Sequence, residues 1–179
     1  MLKRSGLILI AISILLLGSP GQNALFAWWK SSDPKEEINS LCADLLFERG
    51  SKAFENKKTR EAALLLQASI RYNSHDPQAH YRLGIIYISQ KEFEKAIENF
   101  KRAIKLKRDF TKAYVNLGSA YGKLKQYKPA LSYLQKALSL ENKDPVIYYN
   151  IGLIYSAMKK PDQAKKYFTK AEELGLPSQ

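Results

Sequence analysis

The sequence predicts an all-α solenoid of stacked helix–turn–helix units, preceded by a segment of different composition. Two observations carry that prediction. Residues 77–110, 111–144 and 145–178 overlay without a gap, and residues 43–76 form a weaker copy in the same register. Small residues also recur at a fixed step of 34: Gly50, Gly84, Gly118 and Gly152, and then Ala62, Ala96, Ala130 and Ala164. A constant period of this size marks units that each bury an apolar face against a neighbour.

Within one unit the first helix carries Leu83-Gly84, Leu117-Gly118 or Ile151-Gly152, and the second carries its alanine twelve residues later. A helical glycine costs about 0.5–1 kcal/mol relative to alanine. Four in register imply that the second helix approaches where a Cβ would not fit. Polar breaks separate the two helices: Ser89-Gln90-Lys91, Lys123-Leu124-Lys125-Gln126 and Lys159-Lys160-Pro161. Asp76-Pro77 and Asp144-Pro145 join units, with Asp placed to cap the next helix and Pro where no amide donor is needed.

These residues carry a family resemblance. Leu83-Gly84-x-x-Tyr87, followed by Ala96-x-x-x-Phe100-x-x-Ala103, resembles the tetratricopeptide repeat over residues 43–178. The resemblance implies a right-handed superhelix of eight to nine helices in four repeats: 43–76, 77–110, 111–144 and 145–178. Departures are Ser74, Arg108 and Asn142 where the family usually has proline, and Ala53 where later copies have Tyr87, Tyr121 and Tyr155.

The chain in order begins with Lys3-Arg4, an apolar run from Leu7 to Leu17, and a Gly18–Asn23 break. Eleven residues rise only about 16 Å as a helix, about half a bilayer core. Residues 1–27 are therefore expected to be a signal peptide cut after Ala27 or Ala24. The alternative is an uncleaved N-terminal inner-membrane anchor with Trp28 and Trp29 at the interface. Both place the remainder outside the cytoplasm, periplasmic or envelope-associated. Residues 28–42 are a lead-in: Asp33-Pro34-x-Glu36 starts a helix, and Ile38, Leu41, Cys42, Leu45 and Leu46 form its apolar stripe over the N-terminal end of the stack. Cys42 is read as a small buried hydrophobe, with an intermolecular disulfide as the alternative. At the other end, Lys165 and Glu172 replace the apolar Ala63, Ile97, Leu131 and Ile70, Ile104, Leu138 of earlier copies. A polar outer face suits a last repeat and argues against end-to-end polymerisation, so a monomer or weak oligomer is expected.

Net charge is +12, or +10 without Lys3 and Arg4, with the excess in the two middle repeats around Lys101, Arg102, Lys105, Lys107 and Arg108. Such a field favours an anionic membrane or envelope polymer, with nucleic acid not expected outside the cytoplasm; a solvated face is the plainer reading. Catalytic chemistry finds no starting point. His75 lies in a turn, His80 sits at a packing position, and no metal-ligand spacing, paired cysteines or phosphate loop is present. No enzyme activity and no cofactor are expected.

The resemblance implies instead a concave groove lined by the first helices. Repeat position 5 gives Phe47, Tyr81, Val115 and Tyr149; position 6 gives Glu48, Arg82, Asn116 and Asn150; position 9 gives Ser51, Ile85, Ser119 and Leu153. The asparagines can donate to and accept from a peptide backbone without fixing its sequence. Arg82, Lys112 and Lys123 add charge at the rim. The chaperone-cochaperone subfamily grips a C-terminal carboxylate with a fixed Lys/Asn, Asn, Lys/Arg set. The corresponding positions here read Phe47, Ser51, Arg82, Lys112 and Asn116, or Tyr81, Ile85, Asn116, Val146 and Asn150. Neither set matches, so no carboxylate clamp is expected. The function implied is a scaffold that binds a protein or peptide partner.

Overall fold

The computed structural model describes residues 34–177, which contain eight helices and no strand. They are α1 (Pro34–Glu55), α2 (Thr59–Tyr72), α3 (Pro77–Ser89), α4 (Phe93–Leu106), α5 (Thr111–Lys123), α6 (Tyr127–Leu140), α7 (Pro145–Ala157) and α8 (Pro161–Glu173). The signal or anchor reading of residues 1–27 and the Asp33 cap lie outside the described residues. Among the described residues no helix is long and apolar enough to cross a membrane.

Ala43 onward forms one compact unit of four helix pairs. Each pair closes on its glycine as the sequence requires, and the nearest partner is a larger side chain than the alanine, whose backbone oxygen also comes close at Gly118. A Cβ on Gly84 would lie 2.6 Å from the Phe100 ring, and one on Gly152 equally close to Phe168. Leu134 stands 2.7 Å from the same point on Gly118, and Leu66 3.0 Å from that on Gly50. The glycine thus makes room for a large side chain sixteen residues on. Ala96 and Ala130, fully buried, let the second helix come near enough to deliver it. Phe100, Leu66 and Leu134 are themselves fully buried, so these contacts form the middle of each unit.

Further contacts join neighbouring units and brace the pairs themselves. Gly122 admits the tip of Ile154 from α7 against α5. Gln67 of α2 donates to the Tyr87 hydroxyl of α3 at 2.8 Å, and Lys101 of α4 lies over the Tyr121 ring of α5. Position 25 of one repeat therefore touches position 11 of the next. Tyr133 stacks on Tyr121 with ring centroids 5.5 Å apart, and Tyr167 does the same with Tyr155 at 5.4 Å. Ser69, buried in α2, donates to the Ala43 carbonyl of α1 at 2.8 Å.

The caps behave as expected where they are described. Asp76 accepts from the Gln78 amide and Asp144 from the Val146 amide, each at 2.8 Å. A second feature was not legible: Lys57, Lys91, Lys125 and Lys159 adopt φ of 58–61°. In each case this lysine's amide donates three residues back, and the next residue's amide donates five back, as in Lys91 to Ile88 and Glu92 to Tyr87. That is the Schellman ending, in which glycine is usual because left-handed backbone costs other residues about 1–2 kcal/mol. Gly175 at the end of α8 closes the same motif with the usual residue.

Two sequence expectations for α1 need correction. Ile38, Leu41 and Leu45 are 60%, 66% and 55% exposed, so this stripe faces outward instead of being covered. Cys42 is half-buried rather than enclosed, and is free. The cause lies in the pattern itself: Ala43, Gly50 and Ala53 are the buried positions of α1, and they sit on a different face from 38, 41 and 45. The expected polar ending is seen, with Lys165 and Glu172 both exposed.

Two stability measurements check this packing. Replacing Gly84 with Val should lower the urea-unfolding free energy by about 2–3 kcal/mol, because the buried Phe100 ring has nowhere to go. Lys91→Gly should instead raise it by about 0.5–1 kcal/mol, the left-handed cost less the added freedom of the unfolded chain.

Candidate functional site

The first helices of successive units lie side by side, α3 against α5 and α5 against α7. Their shared face brings the predicted groove residues together in a cross-repeat ladder. The Arg82 guanidinium of α3 sits over the Phe47 ring of α1 at 5.2 Å. One unit on, Asn116 of α5 donates its amide to the Tyr81 hydroxyl of α3 at 3.0 Å. At these two steps position 6 of one repeat rests on position 5 of the repeat before. At the next step Val115 offers no acceptor, and the Asn150 amide bonds the Val146 carbonyl of its own helix at 2.8 Å.

This geometry changes what the asparagines can offer. Each side-chain amide spends one N–H within the protein and keeps its second N–H and its carbonyl oxygen. The other groove positions differ in environment. Tyr81 leans on Phe110 and Phe100, and Tyr149 on Phe168, which fixes both rings. Ile85 and Ser119 are half-buried on the floor; Leu153 and Val146 are 43% exposed and supply apolar surface near the C-terminal end. Lys112 and Lys123 are exposed at the rim. Val115 is buried in the core and contributes little contact area, and Ser51 spends its hydroxyl on the Phe47 carbonyl.

Burial pushes the Tyr81 phenol above its ordinary range, against the hydrogen bond from Asn116 and the charge of Arg82. His80 is buried with its ring nitrogens facing the Asn99 side-chain oxygen and the Ser74 carbonyl, the packing role its position implied. Among the described residues no three His, Cys, Asp or Glu side chains gather as metal ligands. Two open depressions, of about 720 and 440 Å³, are walled chiefly by the second helices and include none of the groove residues. The predicted groove residues therefore lie outside both depressions.

A family model described as the tetratricopeptide repeat matches residues 77–110, 111–144 and 145–174, more than half of the chain. The chain belongs to the tetratricopeptide-repeat family. The first helix pair falls outside that match but shares the glycine contact and the left-handed lysine of the other three. Among solved structures, one described as the crystal structure of MamA is 27% identical, with a TM-score of 0.70, covering 74% of this chain and 77% of that one. The first tetratricopeptide-repeat domain of Spaghetti (RPAP3), bound to an HSP90 peptide, is 26% identical. Its TM-score is 0.65, and the match covers 67% of this chain and 95% of that one. The pilF protein of Pseudomonas aeruginosa is 24% identical, with a TM-score of 0.67 over 76% of this chain and 63% of that one, a likeness of fold. No curated protein matches the chain.

The cross-repeat contact is open to a double-mutant cycle. Tyr81→Phe and Asn116→Ala should each cost about 1 kcal/mol and couple by about 0.5–1.5 kcal/mol. The raised phenol also gives a pH signature. Its stabilisation is complete below the unfolded tyrosine pKa near 10 and is lost as pH rises through the higher folded value. Tyr81→Phe should therefore flatten the alkaline loss of stability seen in urea titrations above about pH 10.

Proposed function

We propose that this chain is a non-enzymatic adaptor that holds an extended segment of a partner protein along the face of its first helices. The observation that carries the reading is the ladder Phe47–Arg82 and Tyr81–Asn116, which fixes aromatic and polar groups at a one-repeat step on an open trough. Fixed side chains reduce the ordering cost of binding. Carbonyl oxygens on Asn116 and Asn150 accept from backbone N–H groups of the ligand, and the apolar Leu153 and Val146 take its side chains. A structural relative at 26% identity carries a peptide from HSP90, which supports peptide binding as the mode. The positions that would clamp a terminal carboxylate read Phe47, Ser51, Arg82, Lys112 and Asn116 in one register and Tyr81, Ile85, Asn116, Val146 and Asn150 in the other; neither matches the clamp, which favours an internal segment over a free C-terminus.

The compartment follows from the N-terminal sequence. Lys3-Arg4, the run Leu7–Leu17 and the Gly18–Asn23 break support export to the periplasm or envelope, with an uncleaved anchor as the second reading. Either form would make the module part of an envelope assembly.

A crosslinked pull-down from the envelope fraction tests this, comparing wild type with the Asn116→Ala/Asn150→Ala variant once circular dichroism shows equal helicity. The partner should be retained in moderate salt by the wild type and reduced at least about tenfold by the variant, the loss of one or two hydrogen bonds. Retention of the same partners by the variant would sink the groove as their site.

A further inference from the structure

The four left-handed lysines define a second surface that the groove does not use. Short turns join each first helix to its second, so all four turns fall on one edge of the stack. They are residues 56–58, 90–92, 124–126 and 158–160. Together they hold six lysines, Lys57, Lys58, Lys91, Lys125, Lys159 and Lys160, and one acid, Glu92. Glu92 and Lys58 are spent on Lys95 and Glu61 within their own helix turns. The four left-handed lysines make no ion pair among the described residues, and all are exposed. The turns at the opposite edge, 73–76, 107–110 and 141–144, hold three basic residues against four acids. The positive charge is therefore polarised across the stack, a property the per-repeat totals conceal.

Strain makes the arrangement informative. The same Schellman geometry at the end of α8 is closed by Gly175, the residue without the left-handed cost. The four internal turns instead carry lysine at the costly position every time. We propose that this edge is an electrostatic seat for an anionic lipid surface. Cations spaced by about one repeat, roughly 10 Å, match a flat field of headgroups. None of the twelve turn residues is aromatic or arginine, so the edge lacks the stacking and forked donors that single-stranded nucleic acid uses.

The test is vesicle co-sedimentation of the full chain, with phosphatidylcholine vesicles against the same vesicles containing phosphatidylglycerol. Wild type should prefer the anionic vesicles and lose that preference as salt shortens the Debye length. The variant Lys57→Gly/Lys91→Gly/Lys125→Gly/Lys159→Gly should bind them about a hundredfold or more weaker, at about fivefold per lysine. Its melting temperature should not fall, since glycine suits the left-handed turn, so lost binding is not lost folding. A charge-matched variant of the other face, Lys105→Gln/Lys107→Gln/Arg108→Gln/Lys143→Gln, should keep affinity within about tenfold of wild type, as charges more than a Debye length from the surface are screened. Equal binding to neutral and anionic vesicles would overturn the proposal, as would an equal loss in the charge-matched variant. So would a quadruple-glycine variant that binds like wild type. Tighter binding to soluble polyphosphate or single-stranded DNA than to vesicles would also overturn it, and would assign the edge to a linear polyanion.

Discussion

Each unit of this protein depends on one close approach: a large side chain of the second helix pressed against a glycine of the first. Phe100 on Gly84, Leu134 on Gly118, Phe168 on Gly152 and Leu66 on Gly50 are the same contact four times. It fixes the distance and rotation of the two helices in a pair, and so determines which residues of the first helix remain for the groove. Because packed interiors tolerate little overfilling, this contact holds a single geometry across the units. Aromatic stacking of Tyr133 on Tyr121 and Tyr167 on Tyr155 then tightens the two C-terminal pairs on another face.

From that regularity two surfaces follow with separate chemistry. On the face of the first helices, Arg82 rests on Phe47 and Asn116 on Tyr81, each on position 5 of the preceding repeat, while Asn150 bonds its own helix. At the edge of the turns, the same period places lysines one repeat apart. The two sets share no residue. Exposed ion pairs such as Lys58–Glu61 and Lys170–Glu173 add little to stability and do not compete with this division.

The period of 34 made the fold readable, because glycine, alanine and aromatic positions in register leave few alternatives for the packing. The register of the groove positions was legible for the same reason. What the sequence concealed depends on which partner a polar group chooses. Asn116 and Asn150 look alike in sequence, yet one bonds a tyrosine of the previous unit and the other its own helix, because Tyr81 offers an acceptor and Val115 does not. Backbone sign is hidden too: Lys57, Lys91, Lys125 and Lys159 read as ordinary polar turn residues until their φ is known. The stripe Ile38, Leu41 and Leu45 misled in the opposite sense, since helical spacing shows that residues share a face and not that the face is covered.

Site-specific photo-crosslinking in cells tests the trough as the recognition surface most directly. A crosslinking residue at Leu153, exposed on the first-helix face, is compared with one at Ser132, exposed on a second helix. Adducts to a discrete partner from Leu153 and none from Ser132 are the predicted result. Adducts from Ser132 alone would place recognition on the second helices and contradict the reading of the trough.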